Sequence, residues 1–239
     1  APTKIERQLQ ALLAGGERCG LAYCWMSRID ALGAVIRDHG GTRREGAVLD
    51  AILKSDFVGN GSAALVRRQA LQDSGGFDSR LRSAGGEGCE DWLFYARVAG
   101  AYDFALVQDH LVGYRELPGN MSSNRPRMLR SHMLMCDQML EKHPQHADAI
   151  RRGLQNYAWW LMRIARPRPG LAASAALCWG LLRGHPRVAM KILLKDLPLE
   201  PIRRLFARPD PWLSGAPAPL AEEAGRRFLS RPTEPSELA

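Results

Sequence analysis

The amino-acid sequence predicts an α/β fold in which a mixed sheet with helices is followed by an α-helical C-terminal extension. Up to residue 124, short apolar segments with strand character alternate with helical patterns, whereas only helical patterns follow from 125 to about 206. The segment 20–29 is apolar without clean alternation, which is typical of a central strand buried on both faces. These observations indicate part of an α/β layer with a helical segment attached to it.

The strands are expected in the first part of the chain. Residues 1–14 place Ile5, Leu9, Leu12 and Leu13 on one side of a helix, which predicts an amphipathic helix and no signal peptide. Strands are predicted at 20–29, 34–36, 62–66, 104–107 and 111–114, and further helices at 45–54, 69–73 and 92–99.

The second part of the chain has helical patterns separated by prolines. Helices are predicted at 128–142, 148–164, 171–182, 186–195 and 200–206. After Pro209 the chain is rich in Pro, Ala, Glu and Ser, which predicts a disordered tail. We therefore expect three regions, namely 1–124, a helical extension at 125–208 and the tail at 209–239.

The formal net charge of +8 is concentrated in the C-terminal half. Residues 1–124 carry 14 basic and 15 acidic side chains, whereas residues 125–239 carry 19 and 10. Such a segment suggests an anionic partner, either a membrane surface or nucleic acid, and the alternative is a solvated helix face. Nucleic acid is the less favoured partner, because the sequence has no recognisable helix-turn-helix, RRM or zinc pattern.

The apolar side chains between residues 171 and 195 alternate with basic ones, which leaves two interpretations open. They fit docking on an anionic bilayer, and they equally fit packing against the first region. The apolar run 171–182 is too short for a spanning helix, which needs about 20 residues. Five irregularly spaced cysteines without a Cys-x-x-Cys indicate reduced thiols in a cytoplasmic protein and argue against a zinc site.

An acidic pair, Glu90-Asp91, stands where the glycine-rich run Gly86-Glu87-Gly88 becomes a helical pattern. A carboxylate at the start of a rigid helix can serve as a general base toward a ligand in the adjoining loop. The alternative is structural, because the helix dipole alone favours acidic residues in a first turn by about 0.3–1 kcal/mol. The neighbouring motifs decide between these interpretations.

These motifs resemble the acceptor half of a family 2 glycosyltransferase of the GT-A type. In order, they are Pro2-Thr3-Lys4-Ile5-Glu6-Arg7-Gln8-Leu9, Gly20-Leu21-Ala22-Tyr23-Cys24-Trp25, Asn60-Gly61-Ser62-Ala63-Ala64-Leu65-Val66-Arg67-Arg68, Gly75-Gly76-Phe77-Asp78-Ser79-Arg80-Leu81 and Glu90-Asp91-Trp92-Leu93-Phe94. The resemblance covers roughly residues 1 to 124 and implies a partial GT-A-like sheet. In that family a helix like that at 1–14 follows the loop that carries a metal-binding Asp-x-Asp.

The resemblance also implies roles for individual residues. Asp91 corresponds to the base that takes the proton of the acceptor hydroxyl, and Glu90 would orient Asp91 or contact the acceptor sugar. Asn60, Gly61 and Ser62 would border the sugar site, although Asn-Gly is also an ordinary tight-turn signal. Trp92 would stack on a sugar ring or simply pack in the core. Arg115 would lie near the donor phosphates, but the histidine often found after this position is replaced by Glu116.

The departures from the family pattern limit the predicted function. The sequence contains no Asp-x-Asp and no nucleotide-binding half, so we expect the chain itself to be inactive, to bind no metal and to lack the donor site. The full-length protein, with Mg²⁺ or Mn²⁺, is expected to be an inverting, hexosyltransferase-type enzyme of bacterial polysaccharide synthesis. The absence of Gln-x-x-Arg-Trp suggests transfer of a single sugar from a nucleotide-sugar donor to a glycan or lipid-linked acceptor.

Two further expectations concern location and an alternative role. We expect a cytoplasmic protein, peripheral on the inner face of the cytoplasmic membrane. The alternative is a noncatalytic scaffold with a glycosyltransferase-like fold that binds a membrane or a partner. A protein of that kind would depend on its basic helices and not on Asp91.

Overall fold

The computed structural model describes residues 1–117, 124–164, 171–196 and Phe228. In these ranges the strands are β1 (Cys19–Ile29), β2 (Val35–His39), β3 (Ala64–Val66) and β4 (Asp103–Arg115). The helices are α1 (Lys4–Ala14), α2 (Leu49–Lys54), α3 (Arg68–Asp73), α4 (Arg80–Ser83), α5 (Glu90–Ala99), α6 (Arg125–Lys142), α7 (Ala147–Trp159), α8 (Leu171–Gly184) and α9 (Pro186–Lys191). A short 3-10 turn spans Pro144–His146, and π-helical turns at Trp160–Ile164 and Ile192–Asp196 extend α7 and α9.

The sheet is mixed, as the sequence predicts, and β1 lies at its centre. β4 pairs with β1 in parallel from Cys19 to Ile29. The other edge of β1 is shared by two antiparallel strands, because β3 pairs with Leu21–Tyr23 and β2 with Met26–Ile29. Nearly every residue of β1 is buried, which confirms the expectation of a strand covered on both faces.

One hydrophobic core joins the sheet to the helices of both halves of the chain. It includes Tyr23 and Phe104 of the sheet, Phe94 of α5, Met135 of α6 and Leu154 of α7. Helix α7 approaches α2 so closely that a Cβ on Gly153 would lie 2.0 Å from the carbonyl oxygen of Leu53. The helices after residue 124 therefore pack directly against the sheet-containing part and share its core.

Helix α1 does not bury the apolar side that the sequence pattern indicates. Ile5, Leu9 and Leu13 are exposed, whereas Leu12 and the polar Gln8 are buried. The amide of Gln8 donates to the carbonyl oxygens of Ala22 at 3.1 Å and of Ala63 at 2.7 Å. These two bonds satisfy the buried amide and join α1 to the sheet.

Three other predicted elements differ in extent. The two short strands predicted at 104–107 and 111–114 are one strand, because β4 continues alongside β1 through a bulge between Val107 and His110. Helix α2 begins at Leu49 rather than at residue 45, because Gly46 exchanges two backbone hydrogen bonds with Phe104 and has a positive φ, which a right-handed helix does not contain. The short helix α4 was not predicted.

Two predictions fall mainly on residues that the structure does not describe. The helix predicted at 200–206 lies outside the described residues, and so does the expected tail at 209–239 apart from Phe228. The backbone N–H of Phe228 donates to the carbonyl oxygen of Gly33 at 3.1 Å. In the described ranges no helix combines the length and the apolar character needed to cross a bilayer.

Candidate active site

The acidic pair stands at the first turn of α5, after a loop that requires glycine. Gly85 and Gly88 have positive φ, and so does Cys89, the residue directly before the helix. A Cβ on Gly86 would lie 2.9 Å from the carbonyl oxygen of Leu81, so only glycine fits there without a shift. The loop thus makes a sharp bend that ends with Glu90 and Asp91 in the first turn of α5.

Helix α6 supports this loop from behind. The hydroxyl of Ser131 donates to the carbonyl oxygen of Gly88, and the backbone N–H of Glu87 donates to that of Arg127 at 3.2 Å. The Glu87 carboxylate also lies 3.6 Å from the Arg127 guanidinium. The loop is therefore fixed by a helix that begins more than 30 residues later in the sequence.

The carboxyl group of Asp91 is partly buried and meets two backbone amides. Its Oδ1 accepts from the N–H of Trp92 at 2.8 Å, and the N–H of Gly61 faces it as a second donor. Burial raises the pKa of Asp91, and the adjacent charge of Glu90 raises it further, although the amides oppose this shift. A carboxylate with a raised pKa is a stronger base once it is ionised.

A second carboxylate, which sequence reasoning missed, lies near enough to Asp91 to interact with it electrostatically. Asp56 follows α2, and its Oδ1 accepts from the backbone N–H groups of Val58 at 3.1 Å and Gly59 at 2.9 Å. Burial raises the pKa of Asp56 to about 7, and the negative charge of Asp91 contributes to the shift. Such mutual influence makes the two carboxyl groups a coupled pair. In the sequence Asp56 has the appearance of an ordinary turn residue and gives no signal.

Helix α5 is joined to α2 and to the loop 55–62 by hydrogen bonds from two aromatic side chains of its first two turns. The indole N–H of Trp92 donates to the carbonyl oxygen of Ile52 at 2.7 Å. The hydroxyl of Tyr95 donates to the carbonyl oxygen of Asn60 at 2.9 Å. The structure therefore brings together Asn60-Gly61-Ser62 and Glu90-Asp91, two motifs that are 28 residues apart in the sequence.

The three residues of the Asn60-Gly61-Ser62 motif have different surroundings. Asn60 is buried, and its side chain donates to Sδ of Met26 at 2.7 Å and accepts from the N–H of Ser62 at 2.9 Å. Gly61 and Ser62 are exposed. Gly61 lies outside the left-handed region, and nothing occupies the first 4 Å around the position of a Cβ. The fold itself thus does not demand glycine at a position that borders Asp91.

Trp92 lies in the core behind the acidic pair. Its side chain is buried, with a relative exposure of 6%, and its ring meets those of His132 and Tyr157 edge-on. Burial lowers the pKa of His132 to about 3, so its ring is neutral, and it stacks on Tyr157. This environment favours the packing interpretation of Trp92 over stacking on a sugar.

Arg115 stands at the end of β4 and is held by the turn between β1 and β2. Its Nη1 donates to the carbonyl oxygens of Asp30 at 2.8 Å and Ala31 at 2.7 Å. The following residue, Glu116, pairs with Arg28 of β1. These contacts give Arg115 a structural role at the end of the sheet, and its proposed role toward donor phosphates stays a prediction.

The Gly75-Gly76-Phe77-Asp78 motif contacts α5 beyond its first turn. The buried Asp78 carboxylate pairs with Arg97 of α5 at 2.7 Å and with Arg80 at 2.8 Å. Phe77 stacks on Phe94, with ring centroids 4.7 Å apart. This motif therefore orients the helix that carries Asp91 and does not itself join the acidic pair.

Comparison with known proteins agrees with this arrangement of motifs. A family model described as glycosyltransferase like family 2 matches residues 5–138, from α1 into α6. No curated protein and no solved structure matches the chain. The family match covers more than half of the 239 residues and includes both carboxylates of the candidate site. The chain belongs to the glycosyltransferase-like family 2.

Proposed function

We propose that the residues around Asp91 form the acceptor side of an inverting glycosyltransferase. The enzyme would transfer one sugar, of the hexose type, from a nucleotide-sugar donor to a polysaccharide or lipid-linked acceptor. The observation that carries this proposal is the position of Asp91 at the start of a rigidly held helix, beside the exposed Gly61. A base must lie within hydrogen-bond reach of the proton that it removes, and this arrangement leaves room for an acceptor hydroxyl.

The reaction on this proposal is a single displacement. The acceptor hydroxyl lies against Gly61, and its proton passes to the carboxylate of Asp91. The hydroxyl oxygen forms a bond to the anomeric carbon while the bond from that carbon to the diphosphate oxygen breaks. Attack from the face opposite the leaving group inverts the anomeric configuration. Glu90 would orient Asp91 or contact the acceptor, as its place in the same helical turn allows.

Asp56 has a supporting role in the proposal. Two carboxylates held close together resist carrying two negative charges, so one of them keeps a proton to a higher pH. Burial raises the pKa of Asp56, and its Oδ1 already accepts two backbone N–H groups. A protonated Asp56 would allow Asp91 to stay ionised and ready to act as the base.

We assign the binding of the donor nucleotide to residues other than those of the acidic pair. In the described ranges no three His, Cys, Asp or Glu side chains come together in a way that could hold a metal ion. We propose that the expected Mg²⁺ or Mn²⁺ binds elsewhere in the full-length protein. Without that part, the 239-residue chain would not transfer sugar.

An assay of acceptor-dependent turnover in the full-length protein tests this function. The protein is incubated with uridine, guanosine and thymidine diphosphate sugars and with a bacterial lipid and polysaccharide extract. We expect release of nucleoside diphosphate that depends on the acceptor, and an inverted anomeric configuration in the product by NMR. Retention of configuration would contradict the proposal, and so would the absence of turnover with every donor. A scaffold protein would instead keep its cellular function in an Asp91→Asn variant.

A further inference from the structure

The consecutive helices α8 and α9 have outward faces that carry large apolar side chains. Trp179 is 61% exposed, Met190 is 45% exposed and Leu194 is 69% exposed. Within α8, Trp179 and Arg183 are four residues apart and therefore share one face. The guanidinium of Arg183 lies 5.5 Å from the centroid of the Trp179 ring.

The inward faces of the same helices supply the core. Leu177 and Leu181 of α8 are buried, and so are Val188 of α9 and Ile192 in the π-helical turn that follows. The packing interpretation thus holds for the inward residues, whereas docking on a bilayer stays a prediction for the outward ones. The inward set packs against the rest of the protein, and the outward set is not needed for that packing.

The charges on the outward faces have one sign. Arg183, Arg187 and Lys191 are exposed, and the sequence contains no Asp or Glu between residues 171 and 195. An acidic side chain from another element, Asp137 of α6, lies 3.4 Å from the mostly buried ring of His185 between the two helices. The outward faces therefore offer cations and apolar side chains to a partner, with no carboxylate between residues 171 and 195. Asp196 ends the π-helical turn that follows α9.

We propose that this face docks on an anionic membrane surface. The face consists of the exposed side chains of Trp179, Arg183, Arg187, Met190, Lys191 and Leu194. Cations attract anionic headgroups, while indole and aliphatic side chains enter the boundary between headgroups and acyl chains. A nucleic acid would attract the cations, but its phosphate backbone would leave the three exposed apolar side chains without a favourable contact. The proposal does not depend on sugar transfer, although a lipid-linked acceptor would make docking useful.

Cosedimentation of the chain with vesicles tests the proposal. Phosphatidylcholine vesicles with and without phosphatidylglycerol are compared at low and high salt. We expect the protein to pellet only with the anionic vesicles, and less as salt increases. In the triple variant Arg183→Glu, Arg187→Glu and Lys191→Glu, partitioning should fall by about 100-fold, since each basic side chain contributes about fivefold.

A matched triple variant separates this face from the effect of net charge. Arg68→Glu, Arg82→Glu and Arg152→Glu make the same charge change at exposed positions of α3, α4 and α7. This control should retain most of the partitioning. An equal loss in both triple variants would overturn the proposal, because it would indicate attraction without a defined face.

The apolar contribution is measured separately. Trp179→Ala with Leu194→Ala should weaken partitioning by about tenfold or more, whereas Leu32→Ala, at an exposed turn, should change nothing. Equal recovery in the supernatant with and without phosphatidylglycerol would rule out membrane docking. Tight binding to DNA without binding to vesicles would overturn it in favour of nucleic acid.

Discussion

Asp78 is the acidic residue whose removal should cost the most stability. Its side chain is only 4% exposed and accepts hydrogen bonds from the backbone N–H of Arg80, from the Arg80 side chain and from Arg97. In Asp78→Ala the guanidinium of Arg97, 14% exposed, retains the Gln138 side chain at 2.7 Å but loses its counter-ion. Removing one partner of a buried ion pair costs about 3–5 kcal/mol.

Arg80→Ala is the matched control for this change. The Arg80 side chain is 76% exposed, so its share of the ion pair should be worth no more than about 1 kcal/mol. Urea unfolding of the three proteins at neutral pH gives the free energies. A loss below about 1 kcal/mol in Asp78→Ala, or a loss equal to that in Arg80→Ala, would refute the reasoning.

The same pair predicts a pH dependence. The hydrogen bonds from Arg80, together with Arg97, hold the pKa of Asp78 well below its usual range. A carboxyl group whose folded pKa is lowered stabilises the protein above its unfolded pKa, about 3.9, and this stabilisation is lost as the pH falls further. The difference in the free energy of unfolding between wild type and Asp78→Ala should therefore be largest at neutral pH and smaller in acid.

Three other substitutions test packing and the site. Gly153→Ala should destabilise the protein by about 1–3 kcal/mol or more, measured by urea unfolding, because the new Cβ would lie 2.0 Å from the Leu53 carbonyl oxygen. Asp56→Asn should become more stable than wild type as the pH rises from about 4 to about 7. Over that range the wild-type carboxyl group, whose pKa is raised by folding, lowers the free energy of unfolding, and the amide does not. An unchanged difference between acid and neutral pH would contradict this expectation. Gly61→Ala should leave the free energy of unfolding within about 0.5 kcal/mol but slow transfer by about tenfold or more, since the methyl group enters the space beside Asp91.

The features predicted from sequence were those with a local signal. The buried strand β1 has an uninterrupted apolar run, and the acidic pair stands directly after a glycine-rich loop that has to bend sharply. Such patterns are determined by neighbouring residues and can be recognised without the rest of the fold.

The features that sequence reasoning missed depend on contacts between distant residues. Asp56 joins the site only because loop 55–62 lies over α5, where Tyr95 bonds to the loop and Trp92 bonds to Ile52 of the preceding helix α2. Gln8 faces the sheet because two carbonyl oxygens are available there for its amide, which outweighs the apolar pattern of α1. The break predicted within β4 is a bulge that pairing with β1 bridges.

The central claim is that Asp91 removes the proton of the acceptor. The most direct measurement is the single-turnover rate of sugar transfer in the full-length protein for wild type, Asp91→Asn and the neighbouring control Glu87→Gln, with acceptor binding measured in parallel. We predict that Asp91→Asn lowers the rate at least about 100-fold with acceptor binding retained, and that Glu87→Gln changes it little. An Asp91→Asn rate within a few-fold of wild type would contradict the account.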